Sequence, residues 1–345
     1  MKHLWWIIPL LLLAADLVAG LRLSNFEPRC YVLGNNPLSP PSHQLLPSCD
    51  MPIRMAFRVF PLRSNSLGMR DGQIREALPS PPHRRLLLLG DSFTEGIALP
   101  WEETFAGILS SRLAPGTEVL NAGLAGSLPS VYLTRVQELL REGVRFDEAL
   151  VLLDTSDVFE AAKLPVDQFE YGRRTFRGRV VISYVRVREW VCHFFRYSCL
   201  VFVPFQYISW MRDAVNTGLV LSAWISDDGL YHAWGEKGLS VCAADMEQLS
   251  KILLEAKIPL TIAVYPYPQQ IHERDFDSRY IRFWREWASK QGVKFIDLTP
   301  ALADMGPEES IRTYYLPIDF HFSAEGHARV AKALLENMSQ GTGAQ

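Results

Sequence analysis

The chain is short of several things that would direct its function. Its 345 residues carry a formal net charge of only -3, and no basic tail is present. Bulk electrostatic recruitment of a nucleic acid is therefore excluded, since that attraction needs a clear excess of Lys and Arg. There is no internal repeat and no low-complexity tract, which excludes solenoids and disordered linkers. Cysteines number five, and none of their spacings reads as a zinc site. No metal or cofactor is implied.

What is present is a large apolar fraction, 48% hydrophobic. That suffices for one large α/β domain with additional elements. The first twenty residues are the strongest localisation signal. Lys2 and His3 precede an apolar run from Leu4 to Leu13, and Val18-Ala19-Gly20 is a small-residue end. This reads as an export signal, either cleaved or kept as a membrane anchor through residues 4–20. The span is short for a membrane helix and contains Asp16. A buried N-terminal helix, which Trp5-Trp6 would suit, is the bland alternative. The expected location is periplasmic or extracellular.

The cysteines fit that location. Cys30 and Cys49 flank a proline-rich loop, and a bridge between them would staple a segment with little core of its own. Whether they pair is left open at this level. Cys192 and Cys199 would lie about 10 Å apart on one continuous helix, too far for a bond. Cys242 reads as a small buried apolar side chain.

Residues 21–82 read as an irregular N-terminal extension, with Pro37-Leu38-Ser39-Pro40-Pro41-Ser42 as a loop. Met55 to Phe60 alternates in polarity and reads as a strand. From residue 83 to about 340 the pattern alternates between short apolar strands and helices. Five strands are expected: 86–89, 117–120, 148–153, 259–264 and 293–297. Helices are expected at 102–113, 130–142 and, capped by Ser323, 324–338. Such a pattern implies a parallel sheet covered on both faces, a three-layer αβα sandwich. Between the third and fourth strands, about 160–250, lies an insertion too long for one crossover. Its stretch Val180 to Asn216 is rich in Trp, Phe, Tyr and Arg. Extra helices, a lid and a membrane-facing surface all fit it.

Gly90-Asp91-Ser92-Phe93 follows the run Leu86 to Leu89. A buried strand that breaks at a glycine and presents a serine places a hydroxyl at the carboxyl end of a sheet. A serine attacks poorly without a base, and the base needs a carboxylate to orient it. Asp319-Phe320-His321 supplies both. Ser92 is the candidate nucleophile, His321 the candidate base and Asp319 the orienting group. Bland alternatives stand beside each: Ser92 as a helix-capping turn serine, and His321 as an ordinary loop histidine. His327 is the competing histidine, expected inside the last helix in a packing or hydrogen-bonding role. Asp91 or a backbone carbonyl would orient the ring if Asp319 pointed away. Tyr265 and Tyr267, held by Pro266 and Pro268, read either as a rigid substrate wall or as a structural loop.

Three blocks, G-D-S-F-T-E-G, N-A-G-L-A-G and D-F-H-F-S-A-E-G-H, together resemble the SGNH (GDSL) hydrolase superfamily. The resemblance runs from about Arg85 to Leu335, with a weaker match at Asn65 to Arg70. It implies a flavodoxin-like five-stranded sheet and an oxyanion hole built from the Ser92 N–H, a glycine N–H and an Asn side chain. Aligned on Asn121, the glycine is Gly126; an ordinary turn glycine is the alternative reading. Two departures stand out. The family pattern D-x-x-H is shortened here to Asp319-x-His321. The family Asn is replaced by Ser156, with Asp157 matching the residue after it.

The resemblance implies an esterase, or an O-acyltransferase if a sugar hydroxyl accepts the acyl group. The substrate would be an acylated small molecule or polysaccharide, similar to exported members linked to acetylation of surface polysaccharides. Two rivals follow from the same residues. One is a catalytically inactive glycan-binding or assembly factor of the same fold. The other is a lipase working at the membrane surface through the aromatic insertion.

Overall fold

The computed structural model describes residues 11–18, 30–33, 43–55, 58–162, 221–317 and 319–340. The chain divides into two compact units, one of Cys30–Lys163 with Gly218–Gln345 and one of Met1–Arg29 with Leu164–Thr217. Of the second unit, residues 11–18 are described, and they are helical. The aromatic stretch Val180 to Asn216, with Cys192 and Cys199, lies outside the described residues, as does most of the expected signal or anchor. Among the described residues no helix is long and apolar enough to cross a membrane.

Among the described residues the larger unit has ten strands: β1 (Tyr31–Leu33), β2 (His43–Leu45), β3 (Asp50–Met55), β4 (Arg58–Ser64), β5 (Arg70–Asp71), β6 (Arg84–Leu89), β7 (Thr117–Asn121), β8 (Glu148–Leu153), β9 (Leu260–Val264) and β10 (Lys294–Asp297). β1 and β2 form a separate antiparallel pair. The other eight form one sheet in the order β10-β9-β8-β6-β7-β5-β4-β3. β10, β9, β8, β6 and β7 run parallel to one another. β5, β4 and β3 extend the sheet in antiparallel sense.

The sheet is therefore mixed and eight-stranded, where the sequence reading expected five parallel strands. The three added strands come from the segment read as an irregular extension. Met55 to Phe60 is not one strand either: β3 ends at Met55 and β4 starts at Arg58. The reason is visible in the register. Pro52 pairs with Pro61 across β3 and β4. Proline donates nothing to a ladder and survives in sheets mainly at edges, so it erases the strand signal in the one place where it is tolerated. β3 is the outermost strand.

The apolar run that opens the parallel region shows why both faces are covered. Leu86 and Leu88 share a core with Phe105, Ala106, Leu109, Val330 and Leu334. Leu87 and Leu89 point to the other face and are equally buried. A strand buried on both faces must be apolar at every position. Removing each such leucine from water stabilises the fold by about 1.5–3 kcal/mol.

The main helices of this unit are α1 (Ser92–Glu95), α2 (Phe105–Arg112), α3 (Pro129–Arg141), α4 (Thr155–Ala162), α5 (Glu236–Glu255), α6 (Pro268–Glu273), α7 (Arg279–Gln291), α8 (Thr299–Leu302), α9 (Pro307–Tyr314) and α10 (Ala324–Gln340). α10 packs on α2, α8 and α9, and α5 packs on α3, α4 and α7. Polar caps set their starts. Thr104 accepts from the Gly107 N–H, Ser278 from Ile281 and Ser323 from Gly326. Each satisfies a donor that the first helical turn leaves unpaired.

Cys30 and Cys49 are joined by a disulfide, with their Cα atoms 5.7 Å apart. The bridge closes a loop of 19 residues in sequence separation, which lowers unfolded-chain entropy by the equivalent of about 3 kcal/mol. It lies against a small core of Leu45 and Leu62. Cys242 is free and buried.

Candidate active site

Numbered within the parallel region alone, the strands run 2-1-3-4-5, with β6 first in sequence and second from the β7 edge of that region. The chain leaves β6 toward β7 on one side and later places β8 on the other. Loops after β6 and β8 therefore diverge and open a crevice at their carboxyl ends. Ser92 follows β6, Gly126 follows β7 and Ser156 follows β8, so the three oxyanion candidates rise from adjacent strands.

Gly90 makes the sharp exit from β6. A Cβ there would sit 2.0 Å from Thr94 Oγ1 and 3.1 Å from the Leu152 carbonyl oxygen. Only glycine leaves that room. Asp91 then caps α1 by accepting the Phe93 N–H at 3.0 Å. Ser92 is the first helical residue and is half-buried.

Ser92 Oγ lies 2.8 Å from His321 Nε2. His321 Nδ1 lies 2.6 Å from Asp319 Oδ1, and the same oxygen accepts the His321 backbone N–H at 3.0 Å. With Nδ1–H given to Asp319, Nε2 is the acceptor for the serine hydroxyl. The structure brings these three residues into one chain of hydrogen bonds across 229 residues of sequence separation. The two-residue spacing is no obstacle: the loop bends so that one carboxylate oxygen holds both ring and backbone of His321. Burial acts to raise the Asp319 pKa, but the charge and hydrogen bonds of His321 outweigh it and hold it below the ordinary carboxylate range. Phe320 stacks on the imidazole at 4.4 Å between ring centroids, and Phe93 packs on it at 4.8 Å. The base is thus fixed in orientation by rings as well as by a carboxylate.

His327 has a different occupation. It is buried, and its Nδ1 accepts the Phe105 N–H at 3.1 Å. Burial, then the charges of Arg70 and His321, lower its pKa to about 3. The folded value is below the ordinary imidazole value near 6.5, so the unfolded chain takes up a proton that the folded chain refuses. The stability contribution is complete above about pH 6.5 and drains away as pH falls toward 3. His327→Leu should therefore melt lower at pH 7 but lose less further stability than the wild type between pH 7 and pH 4. Thermal melts at both pH values check this; parallel losses would mean that His327 does not fold as the neutral ring.

Gly126 adopts φ +73°, and a Cβ there would meet nothing within 4 Å. Its constraint is backbone conformation rather than space. It is exposed. Neither its N–H nor that of Ser92 has a hydrogen-bond partner among the described residues. Two unspent donors at the ends of adjacent strands are what an oxyanion needs. Ser156 is placed otherwise. Its N–H donates to Asp154 Oδ1 at 2.5 Å, which turns its backbone donor toward that buried carboxylate.

The tyrosine wall requires correction. Tyr265 and Tyr267 are 0% and 1% exposed. Tyr265 OH donates to Asp154 Oδ2 at 2.6 Å, and Tyr267 OH donates to Asp154 Oδ1 at 2.7 Å. Burial, then the Asp154 charge, pushes both phenols well above their ordinary pKa, so they remain donors. Tyr267 also stacks on Phe320 at 5.3 Å. The pair supports the base and a buried carboxylate from beneath, and no substrate can reach it. An apolar ring with a polar tip suits a wall and a core equally, so the local sequence did not decide between them.

Beneath Ser92 lie three buried carboxyls, Asp91, Asp154 and Asp157. Tyr132 OH donates to Asp157 at 3.1 Å, and Tyr265 OH reaches Asp91 at 3.3 Å. Burial, then the neighbouring aspartates, raises the pKa of Asp91 and of Asp157 well above the carboxylate range. Asp91 does not contact His321 and is not needed to orient it. Asp154 carried no sequence signal beyond its place at a strand end, and Glu95 none beyond its place in the first block. Among the described residues no group of His, Cys, Asp or Glu could hold a metal ion. A cavity of about 290 Å³ borders the far side of the 121–127 loop, and neither Ser92 nor His321 lines it.

Fold and site together define an α/β protein carrying a serine–histidine–aspartate constellation at a sheet switch point. No protein-family model matches the chain, and no curated protein matches it. Similar solved structures include the acetylxylan esterase Axe2 from Geobacillus stearothermophilus, as its S15A mutant, at 19% identity and TM-score 0.40, covering 75% of this chain and 95% of that one. A GDSL-like lipase from Bacteroides thetaiotaomicron shows 12% identity and TM-score 0.41, with 77% and 92% covered. The esterase EstA from Pseudoalteromonas sp. shows 9% identity and TM-score 0.41, with 75% and 98% covered. These similar structures are esterases and a lipase by name; the reading of this chain rests on its own residues.

Proposed function

We propose that this chain is an SGNH-type serine hydrolase that cleaves or transfers an ester-linked acyl group through a covalent intermediate on Ser92. The observation that carries the reading is the continuous Ser92–His321–Asp319 hydrogen-bond chain. In the first step Ser92 Oγ attacks the ester carbonyl while its proton passes to His321 Nε2. Asp319 stabilises the imidazolium so formed. The Ser92 and Gly126 N–H groups receive the developing oxyanion. His321 returns its proton to the leaving alkoxide. Water, or a sugar hydroxyl, then attacks the acyl-serine with His321 again as base, and Ser92 is restored.

The finer reading is an exported enzyme acting on acetyl groups of a surface polysaccharide. The apolar N-terminal run and the Cys30–Cys49 bridge support export, because disulfides persist in oxidising compartments. The competing reading, a glycan-binding protein without turnover, is motivated by Ser156, which stands where the family has an Asn donor and whose N–H is spent on Asp154. A fluorophosphonate probe separates the two. The expected result is a label mapped by peptide sequencing to Ser92 and absent from His321→Ala. A folded wild type that takes no label would favour the binding protein.

A further inference from the structure

Glu95 is part of the first sequence block, yet the chemistry above does not use it. It is 0% exposed and is the last residue of α1, the helix that Ser92 begins. A buried carboxyl of this kind is costly unless its oxygens are met. Both are. Glu95 Oε2 accepts the Ala125 N–H at 2.7 Å, and Oε1 accepts the Tyr31 hydroxyl. Ala125 immediately precedes Gly126. The bond therefore spans from the helix that carries one oxyanion donor to the residue beside the other.

The surroundings hold Glu95 from outside. Burial, then the charge and hydrogen bond of Glu95, raises the Tyr31 pKa, so its hydroxyl stays a donor. Tyr31 follows Cys30 of the disulfide and stands in β1. Arg70, also buried, donates to the carbonyls of Glu95, Gly96 and Leu99, just past the end of α1. Arg70 itself pairs in the sheet with Asn121, where the 121–127 loop begins. Asn121 adds a second tie, donating to the Thr94 carbonyl at 2.8 Å. Among these ties Glu95 alone reaches the residue next to Gly126.

We propose that Glu95 is a positioning residue that sets the Gly126 N–H against the Ser92 N–H, with Tyr31 from the disulfide-bonded N-terminal segment holding Glu95 in place. This rests on the acyl-transfer reading for its catalytic consequence, but the positioning itself is physical and separately measurable. An oxyanion hole acts only when charge develops, so a loosened donor costs kcat and leaves ground-state ester binding nearly untouched.

The experiment uses the full chain with Glu95→Ala, Glu95→Gln and Tyr31→Phe. On a chromogenic acetyl ester, Glu95→Ala should lose about 100-fold in kcat with KM changed by less than about 3-fold. Fluorophosphonate labelling of Ser92 should slow in proportion. Glu95→Gln keeps an oxygen for the Ala125 N–H and should recover at least about 10-fold of that loss. Tyr31→Phe, which removes one hydroxyl, should fold normally and lose about 10-fold in kcat. Amide hydrogen exchange over residues 123–127 should be faster in Glu95→Ala and Tyr31→Phe than in the wild type. Unchanged exchange in folded variants overturns the positioning, whatever the activity. A loss confined to KM also overturns it. A wild type that neither turns over esters nor labels removes the acyl-transfer reading, while the exchange result still decides whether Glu95 holds the loop.

Discussion

Ser92→Ala is expected to abolish ester turnover, by at least about 10⁴-fold, while leaving the folded protein almost as stable as before. The size of the effect follows from what is removed. Ser92 Oγ is the one group among the described residues aligned on His321 Nε2, at 2.8 Å, and without it no acyl-enzyme forms. Residual catalysis would come only from binding and the two backbone donors. The small stability change follows from how little else the hydroxyl does. It lies half-buried and makes a single hydrogen bond, worth about 1 kcal/mol. α1 is capped by Asp91, not by Ser92. The measurements are kcat/KM on a short-chain ester beside a thermal melt. Comparable turnover by a folded Ser92→Ala would discard the nucleophile.

Asp319→Asn should lower kcat by about 10³- to 10⁴-fold with KM nearly unchanged. An Asn oxygen can still accept both the His321 ring N–H and its backbone N–H, so the loop keeps its bend. What disappears is the negative charge that balances the imidazolium during proton transfer. Asp91→Asn is the contrast. Burial beside Asp154 and Asp157 already favours the protonated acid at Asp91, and Asn is close to an isostere of that form. It keeps an oxygen for the Phe93 N–H. Its kcat should stay within about 10-fold of wild type. Equal losses at the two positions would mean that Asp91, rather than Asp319, balances the charge on His321.

Much of this was readable in the chain itself. Leu86 to Leu89 announced a strand buried on both faces, and Gly90 its sharp exit. The Asp319-x-His321 pair named its partner in Ser92 because a serine without a base has no chemistry. β6 and β8 were legible for the same reason: continuous apolar runs of four or five residues have few other uses. The antiparallel strands β3 to β5 were not, because prolines and short lengths at a sheet edge carry no periodic signal.

What the sequence determined by itself was local: which runs must be buried, where the backbone must turn through glycine, and which side chains can exchange a proton. The tertiary structure decided everything that depends on a partner far along the chain. It turned Tyr265 and Tyr267 inward onto Asp154, more than a hundred residues away. It sent the Glu95 carboxyl to Ala125 and brought Tyr31 to meet it. The physical reason is common to all of these. A buried polar group must find a hydrogen-bond partner, but which partner it finds is fixed only when the layers pack.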